Sequence, residues 1–167
     1  MRSILGLDQE TVEAICAEAG KAGIMQVANL LCPGNIAVSG ESAGCMEVER
    51  LVQEKGGRTI RLAVAGAFHT ELMKPADQAL AAVLSEVSIR SPRVPVWSNV
   101  DAQPHTNSEE IRELLIRQVL QPVLWEQTMR NLLEHGVERF VEIGPGRVLA
   151  GLLKRVQRKV ECRNVGA

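Results

Sequence analysis

Residues 2–65 alternate between strand and helix patterns in an order that few folds share. Strands are predicted around residues 4–7, 25–30, 36–39 and 60–64, and helices over residues 9–20 and 42–55. Asp8 is placed to cap the first helix, and Pro33-Gly34 supplies turn chemistry between the central strands. The resulting order, βαββαβ, predicts a ferredoxin-like small subdomain over residues 2–65.

After Gly66 the pattern changes to longer helices separated by short strands. Helices are predicted over residues 70–87, 108–119, 125–135 and 147–158, and strands over residues 94–98, 139–143 and 160–165. Leu72 and Val83 are expected on the buried face of the first of these helices, and Ser108 is expected to cap the second. Alternating strands and helices indicate a parallel sheet, but a sheet that is buried on both faces needs more strands than these. Residues 66–167 are therefore expected to belong to a larger α/β subdomain.

The composition excludes several classes of protein. The formal net charge is -1, and the chain has two Phe, two Trp and no Tyr, so neither a basic surface nor stacking aromatics favour nucleic-acid binding. No apolar run is long enough to span a membrane, and the opening residues MRSILGLD lack the features of a signal peptide. The four cysteines lack the spacing of a zinc site or a disulfide framework, and Cys16 and Cys45 are expected to be structural. These features predict a cytoplasmic chain without bound metal.

His69 is the strongest candidate for chemistry because it lies where a predicted strand ends and a helix begins. In open α/β sheets ligands gather beyond such strand ends, and a histidine there can act as a general base. Gln118 follows Ile111, Leu114 and Leu115 on one helical stripe. A buried amide needs hydrogen-bond partners, so Gln118 either orients His69 or lies at the edge of the stripe.

A second candidate is the turn Glu-Ile-Gly-Pro-Gly at residues 142–146, which joins a strand to a helix and could cradle a phosphate or shape the floor of a pocket. It lacks the lysine and the spacing of a P-loop, which argues against nucleotide binding. His105 and His135 are expected to be exposed. No serine stands in a Gly-x-Ser-x-Gly sequence, and no cysteine has the basic sequence neighbour that would favour its thiolate. The sequence thus contains a candidate base without a nucleophile.

Motifs of defined spacing run in order across nearly the whole chain. They are Ser3–Leu7, Ala28-Asn29 through Pro33-Gly34, Val38–Gly40, Gly66–Met73, Pro95 through Asn99-Val100, Arg117-Gln118 through Pro122-Val123 and Trp125, and Glu142 through Leu149. Together they resemble the malonyl-CoA:acyl-carrier-protein transacylases of fatty-acid synthesis and, more distantly, the acyltransferase domains of polyketide synthases.

The resemblance implies an α/β-hydrolase-like large subdomain, with its C-terminal part over residues 66–167, into which the ferredoxin-like subdomain is inserted. It implies that a serine takes the malonyl group from coenzyme A and passes it to the phosphopantetheine thiol of acyl carrier protein, with His69 as base and then acid. Gln118 matches the residue whose backbone carbonyl orients that histidine. Phe68, Asn29 and Asn99 match positions of the substrate site, and Phe68 fits the malonyl-type sequence. Malonyl-CoA and acyl carrier protein are the implied partners, and neither a metal nor a bound cofactor is implied.

The chain also departs from the family pattern. The family's N-terminal Gly-Gln-Gly segment, its serine elbow Gly-His-Ser-x-Gly and the arginine that pairs with the malonate carboxylate have no counterpart in this sequence. Leu31, Cys32 and Asn35 replace an asparagine, a serine and a glutamine that are usual near the entrance of the site. We therefore expect the C-terminal portion of a transacylase, inactive alone, whose serine belongs to an N-terminal half outside this sequence. The alternatives are half of a split acyltransferase, a non-catalytic module that binds carrier protein or another partner, and a transacylase for another acyl group.

Overall fold

A four-stranded antiparallel sheet with two helices forms the first part of the chain. The computed structural model describes residues 1–166. The elements up to residue 61 are β1 (Arg2–Leu5), α1 (Gln9–Ala19), β2 (Met25–Cys32), β3 (Asn35–Gly40), α2 (Ser42–Glu54) and β4 (Arg58–Arg61). The strands lie in the order β2-β3-β1-β4, and each neighbouring pair is antiparallel. The order of elements along the chain is the one that the sequence predicts.

Local interactions set the limits of these elements. The Asp8 carboxylate accepts a hydrogen bond from the backbone N–H of Thr11 at 2.8 Å, which satisfies one of the free N–H groups at the start of α1. Gly34 has a φ of 68°, a left-handed conformation that glycine adopts without strain, and it makes the tight turn between β2 and β3. Strand β1 opens at Arg2, two residues before the predicted strand, and β4 ends at Arg61, so that Leu62 lies outside the sheet.

The core of this first part lies between the sheet and the two helices. Its fully buried side chains include Ile4, Val12, Val38, Val48 and Val52. Further buried members of the same cluster are Ile15, Cys16, Ala19, Met25, Ile36 and Cys45. The expectation that Cys16 and Cys45 are structural agrees with this burial, which raises the pKa of the Cys16 thiol to about 12.

The second part has shorter sheets. Its elements are α3 (Lys74–Glu86), β5 (Val96–Trp97), β6 (Pro104–His105), α4 (Ser108–Arg117), α5 (Trp125–Glu134), β7 (Arg139–Ile143), α6 (Val148–Val156) and β8 (Glu161–Val165), with a 3₁₀ turn at Glu71–Met73 before α3. Strands β5 and β6 form an antiparallel pair, and β7 and β8 form a parallel pair. Residues 1–166 thus have a mixed α/β fold with six α-helices and three small sheets. None of the helices in this range is long and apolar enough to cross a membrane.

Several boundaries in the second part differ from the prediction. Helix α3 begins at Lys74 because the preceding residues form the 3₁₀ turn, and Pro75 suits its first turn. The expectation of a buried face was wrong, because Leu72 and Val83 are 38% and 60% exposed. Asn107, and not Ser108, caps α4, since its side-chain oxygen accepts hydrogen bonds from the backbone N–H groups of Glu109 and Glu110.

Within residues 1–166, hydrogen bonds join the two parts at three places. Val123 lies along the outer edge of β2, where its N–H donates to the Ala28 carbonyl at 2.8 Å and its carbonyl accepts from the Leu30 N–H at 2.9 Å. The Arg155 guanidinium donates to the Pro33 carbonyl at 2.9 Å. The third contact, between β2 and the segment that follows His69, belongs to the candidate site.

Candidate active site

A tight turn between the two parts presents His69. Thr70 is fully buried, and its hydroxyl donates a hydrogen bond to the Ala67 carbonyl at 2.7 Å, which closes the turn around His69. The φ of His69 is 62°, a left-handed conformation that is uncommon for any residue with a Cβ. Such backbone strain persists only where the surrounding structure enforces it, and it is concentrated at functional sites.

The His69 ring is held by the chain segment that follows α4. Its Nδ1 lies 2.9 Å from the Gln118 carbonyl oxygen and 3.1 Å from the Gln121 carbonyl oxygen, and the His69 backbone N–H donates to the Val119 carbonyl at 3.2 Å. Both ring partners are carbonyl oxygens, which only accept, so Nδ1 carries the proton in these hydrogen bonds. The neutral ring therefore has its lone pair on Nε2, which is the form that a general base requires.

Gln118 follows the last residue of α4, and its side chain is partly buried. Its amide Nε2 donates to the Gln121 carbonyl at 3.0 Å and lies 3.4 Å from the Pro122 carbonyl. The backbone carbonyl of Gln118 thus accepts from the His69 ring, and its side chain donates to the second carbonyl that contacts the ring. The structure brings together the two residues that the sequence singles out as catalytic candidates.

Of the predicted substrate-site residues, Phe68 adjoins His69 in the chain, and Asn29 and Asn99 contact residues 123–124. Phe68 immediately precedes His69 and is 42% exposed. Asn29 and Asn99 lie on either side of residues 123–124: Val123 is the bridge partner of Asn29, and the Leu124 N–H donates to the Asn99 carbonyl at 2.8 Å. Their roles with substrate stay predictions.

Two contributors to the site were not predicted from the sequence. Gln121 supplies a backbone carbonyl. Every residue type has this group, so no sequence pattern identifies Gln121 as a contributor. Gln26, near the start of β2, accepts a hydrogen bond from the Glu71 N–H at 3.0 Å and thereby ties the first part to the segment after His69. An amide on the exposed side of a strand is a weak signal, because such positions are commonly polar.

The turn at residues 142–146 does not favour the phosphate-binding alternative. The two carboxylate oxygens of Glu142 accept hydrogen bonds from the N–H groups of Leu149 and Ala150, each at 3.0 Å. These are the free N–H groups at the start of α6 to which a phosphate would bind, and a carboxylate already occupies them. The remaining alternative for this turn is that it shapes the floor of a pocket.

The other histidines lie away from His69. The expectation that His105 is exposed was wrong: its side chain is 15% exposed and lies between Asp101, at 3.0 Å, and Glu110, at 3.3 Å. The unpredicted strand β6 brings it there, next to α4. His135 is exposed as expected and stands edge-on to Trp97, with 5.1 Å between the ring centroids.

The described residues include a candidate base, His69, but no nucleophile in contact with its ring. Within residues 1–166, no serine or cysteine forms a hydrogen bond with the His69 ring. Ser39 is fully buried in β3, and Cys32 is buried at the end of β2, where burial raises the pKa of its thiol. Both side chains are therefore closed to substrate. Also within residues 1–166, no group of three or more His, Cys, Asp or Glu side chains is arranged to hold a metal ion.

The chain belongs to the acyl transferase family, because the family's acyl transferase domain matches residues 6–166. Over 163 residues it is 43% identical to the malonyl CoA-acyl carrier protein transacylase of Bacillus subtilis (strain 168), and over 166 residues it is 37% identical to that of Haemophilus influenzae. These alignments cover 96% and 99% of this chain but 51% and 53% of the relatives. The chain therefore spans about half the length of the curated relatives that it matches.

Solved structures agree with this assignment. The acyl-carrier-protein S-malonyltransferase of Burkholderia pseudomallei 1710b matches with a TM-score of 0.95 at 35% identity, over 98% of this chain and 54% of that one. A malonyl-transacylase complex with its type II PKS acyl-carrier protein matches with a TM-score of 0.94 at 36% identity, over 98% of this chain and 53% of that one. The mixed α/β fold is thus that of part of a malonyltransferase.

Proposed function

We propose that this chain is the C-terminal portion of a malonyl-CoA:acyl-carrier-protein transacylase and that His69 is its general base and acid. The observation that carries the proposal is the state of the His69 ring: two carbonyls hold Nδ1, and Nε2 is left to take a proton. The relatives that match this chain are malonyl-CoA:acyl-carrier-protein transacylases, which makes the malonyl group the expected cargo.

The proposed reaction has two half-reactions, and in each of them His69 first accepts a proton and then donates it. A serine outside this chain attacks the thioester carbonyl of malonyl-CoA while His69 Nε2 takes the hydroxyl proton. The tetrahedral intermediate collapses, coenzyme A leaves as its thiol with the proton from Nε2, and the malonyl group stays on the serine as an ester. The phosphopantetheine thiol of acyl carrier protein then gives its proton to Nε2 and attacks that ester. Return of the proton to the serine oxygen completes the transfer and requires neither metal nor bound cofactor.

The division of the chain into subdomains is part of the proposal. Residues 2–65 would form the ferredoxin-like small subdomain, which the antiparallel order β2-β3-β1-β4 supports. Residues 66–167 would form the C-terminal part of the α/β-hydrolase-like large subdomain, with Phe68, Asn29 and Asn99 lining the substrate site between the two. The enzyme would work in the cytoplasm, where it would transfer malonyl groups from malonyl-CoA to the carrier protein of fatty-acid synthesis.

The uncovered surface of the second part supports a missing portion that carries the serine. Strands β7 and β8 form a parallel sheet of only two strands among residues 1–166, and Val141, Ile143 and Val165 are 55%, 84% and 55% exposed on it. Parallel sheets are normally covered on both faces, so apolar side chains on a bare face indicate a partner surface. A portion as long as this chain would also account for the other half of the relatives' length.

The test is to restore the reaction. The half of the Bacillus subtilis relative that does not align with this chain is produced separately and mixed with this chain. The mixture is then assayed for malonyl transfer from malonyl-CoA to holo acyl carrier protein. We expect transfer with both portions together and none with either alone. His69→Ala in this chain should lower the rate by about 10³-fold, because general acid–base catalysis contributes on that order.

His135→Ala is the matched control, since it removes an exposed histidine at the end of α5. Full activity of the His69→Ala mixture would overturn the role of His69. Binding of carrier protein without transfer in the mixture would favour the non-catalytic module instead.

A further inference from the structure

The two carbonyls that hold His69 are not placed by helix geometry alone. Gln118 directly follows α4, but Gln121 lies further along the chain at an exposed position, where no helical hydrogen bond fixes the direction of its carbonyl. The Gln121 carbonyl oxygen accepts two hydrogen bonds, one from His69 Nδ1 at 3.1 Å and one from Gln118 Nε2 at 3.0 Å. A carbonyl oxygen has two lone pairs, so the Gln118 amide fixes the direction in which the second one points.

We propose that the Gln118 side chain is a positioning residue that clamps the segment 118–122, so that the Gln121 carbonyl becomes a second acceptor for His69 Nδ1. This inference rests on the proposed function for its link to catalysis. The second amide contact, with the Pro122 carbonyl at 3.4 Å, lies on the same segment. Pro122 restricts the backbone there, since its ring fixes φ and it has no N–H of its own.

The clamp has a chemical purpose. In a serine–histidine–aspartate triad a carboxylate accepts the Nδ1 proton, fixes the tautomer and stabilises the imidazolium. The described partners of His69 Nδ1 are neutral, and each carbonyl dipole carries only a fraction of a charge. Two dipoles that converge on one N–H stabilise the positive ring more than one does, and they also hold the ring plane. The backbone carbonyl of Gln118 provides the first dipole, and its side chain secures the second.

The first measurement is the tautomer of His69. The chain is labelled with ¹⁵N-histidine, and the Nδ1 and Nε2 chemical shifts are recorded at a pH where the ring is neutral, with the His69→Ala spectrum identifying the signal among the three histidines. We expect the Nδ1–H form in the wild-type chain. Gln118→Leu keeps the backbone carbonyl but removes both amide donors, so it should give a mixture of tautomers. Gln118→Glu is the second variant. It nearly keeps the size and shape of the side chain, but its carboxylate cannot donate a hydrogen bond to a carbonyl.

The second measurement is malonyl transfer in the reconstituted mixture. Gln118→Leu and Gln118→Glu should lower kcat by about tenfold and leave KM unchanged, because loss of one well-oriented hydrogen bond costs about that much. Gln127→Leu is the matched control: its amide also donates a side-chain hydrogen bond, to Asn131 at 2.7 Å, but on the exposed side of α5.

Either of two results would overturn the clamp. One is an unchanged Nδ1–H tautomer in both Gln118 variants, and the other is a fall in kcat that Gln127→Leu reproduces. The tautomer experiment needs no activity, so it still decides the inference if no mixture transfers malonyl groups. That outcome would count against the proposed function alone.

Discussion

The two parts of this molecule differ in how completely they are covered. Up to residue 61, one sheet and two helices enclose a cluster of eleven buried residues. The cluster of the second part has three buried members, Met129, Leu153 and Val160, and α3 has none. Within residues 1–166, Met46 and Ile60 are exposed large apolar residues of the first part, and all the others that are exposed lie in the second part.

This difference concerns function as much as stability. In the candidate site the covered part contributes Gln26, whereas the uncovered part contributes His69 and the segment that holds its ring. The sheet is therefore hydrogen-bonded to the segment that follows His69. Under the proposed function, the serine-bearing portion would lie on the bare side, which would give the apolar surface and the lack of a nucleophile among residues 1–166 one common cause.

The largest effect that tests the comparison is expected from matched isoleucine substitutions. Ile4→Ala removes a fully buried side chain of β1 and should lower the free energy of unfolding by about 3 kcal/mol, through lost burial and a cavity. Ile143→Ala removes a side chain that is 84% exposed and should change the free energy of unfolding by less than about 0.5 kcal/mol. Urea unfolding followed by circular dichroism measures both.

The same two variants can also be compared when the serine-bearing portion is present. Ile143→Ala should then weaken association of the two portions, while Ile4→Ala should act on this chain alone. Trp97 and Trp125 both lie in the second part, so their fluorescence reports its unfolding separately. Equal losses of stability for the two variants in the isolated chain would contradict the difference in covering.

A smaller effect is expected at alkaline pH in the covered part. Burial raises the pKa of the Cys16 thiol from 9.0 to about 12, so the folded state favours the neutral thiol. Its contribution to stability is complete below pH 9 and is lost as the pH rises towards 12. At pH 10 the loss should be about 1.4 kcal/mol relative to Cys16→Ala.

The comparison is made by urea unfolding at pH 8 and pH 10. Cys162→Ala, at a partly exposed position in the second part, is the control and should keep the pH dependence of the wild-type chain. A Cys16→Ala variant that loses as much stability as the wild-type chain at pH 10 would show that another group titrates.

The smallest effect is expected at the start of α6. Glu142→Ala removes the carboxylate that accepts from the N–H groups of Leu149 and Ala150, and it should lower the free energy of unfolding by about 1 kcal/mol. The control is Glu138→Ala, at an exposed position just before β7, the strand that contains Glu142. Binding of inorganic phosphate to the wild-type chain with an affinity that Glu142→Ala leaves unaltered would restore the phosphate-cradle alternative for the turn.

Prediction from the sequence succeeded where local chemistry is strong. Asp8 caps α1, and the order of the first six elements follows from their apolar spacing and turn residues. It failed where tertiary context decides: β6 has only two residues, too few to show a period, and α3 has an apolar pattern that nothing in residues 1–166 buries. A pattern indicates which face could be buried, but the covering surface must also be part of the sequence.

The candidate site shows the same limit at the level of atoms. His69 and Gln118 are found because their side chains are unusual for their positions and match a family motif. The Gln121 carbonyl and the left-handed backbone of His69 carry no residue signature, since every residue has a carbonyl and φ is set by the whole turn. Only the three-dimensional structure relates these groups to the imidazole.

The left-handed φ of His69 also has an evolutionary consequence. A histidine in that conformation is strained, whereas glycine would adopt it freely and asparagine more easily, so loss of catalysis would remove the only benefit of keeping histidine there. In a lineage that kept this fold for binding alone, drift towards glycine at position 69 would be favoured by stability. The residue type at position 69 is therefore a marker by which the proposed role of His69 can be compared among related chains.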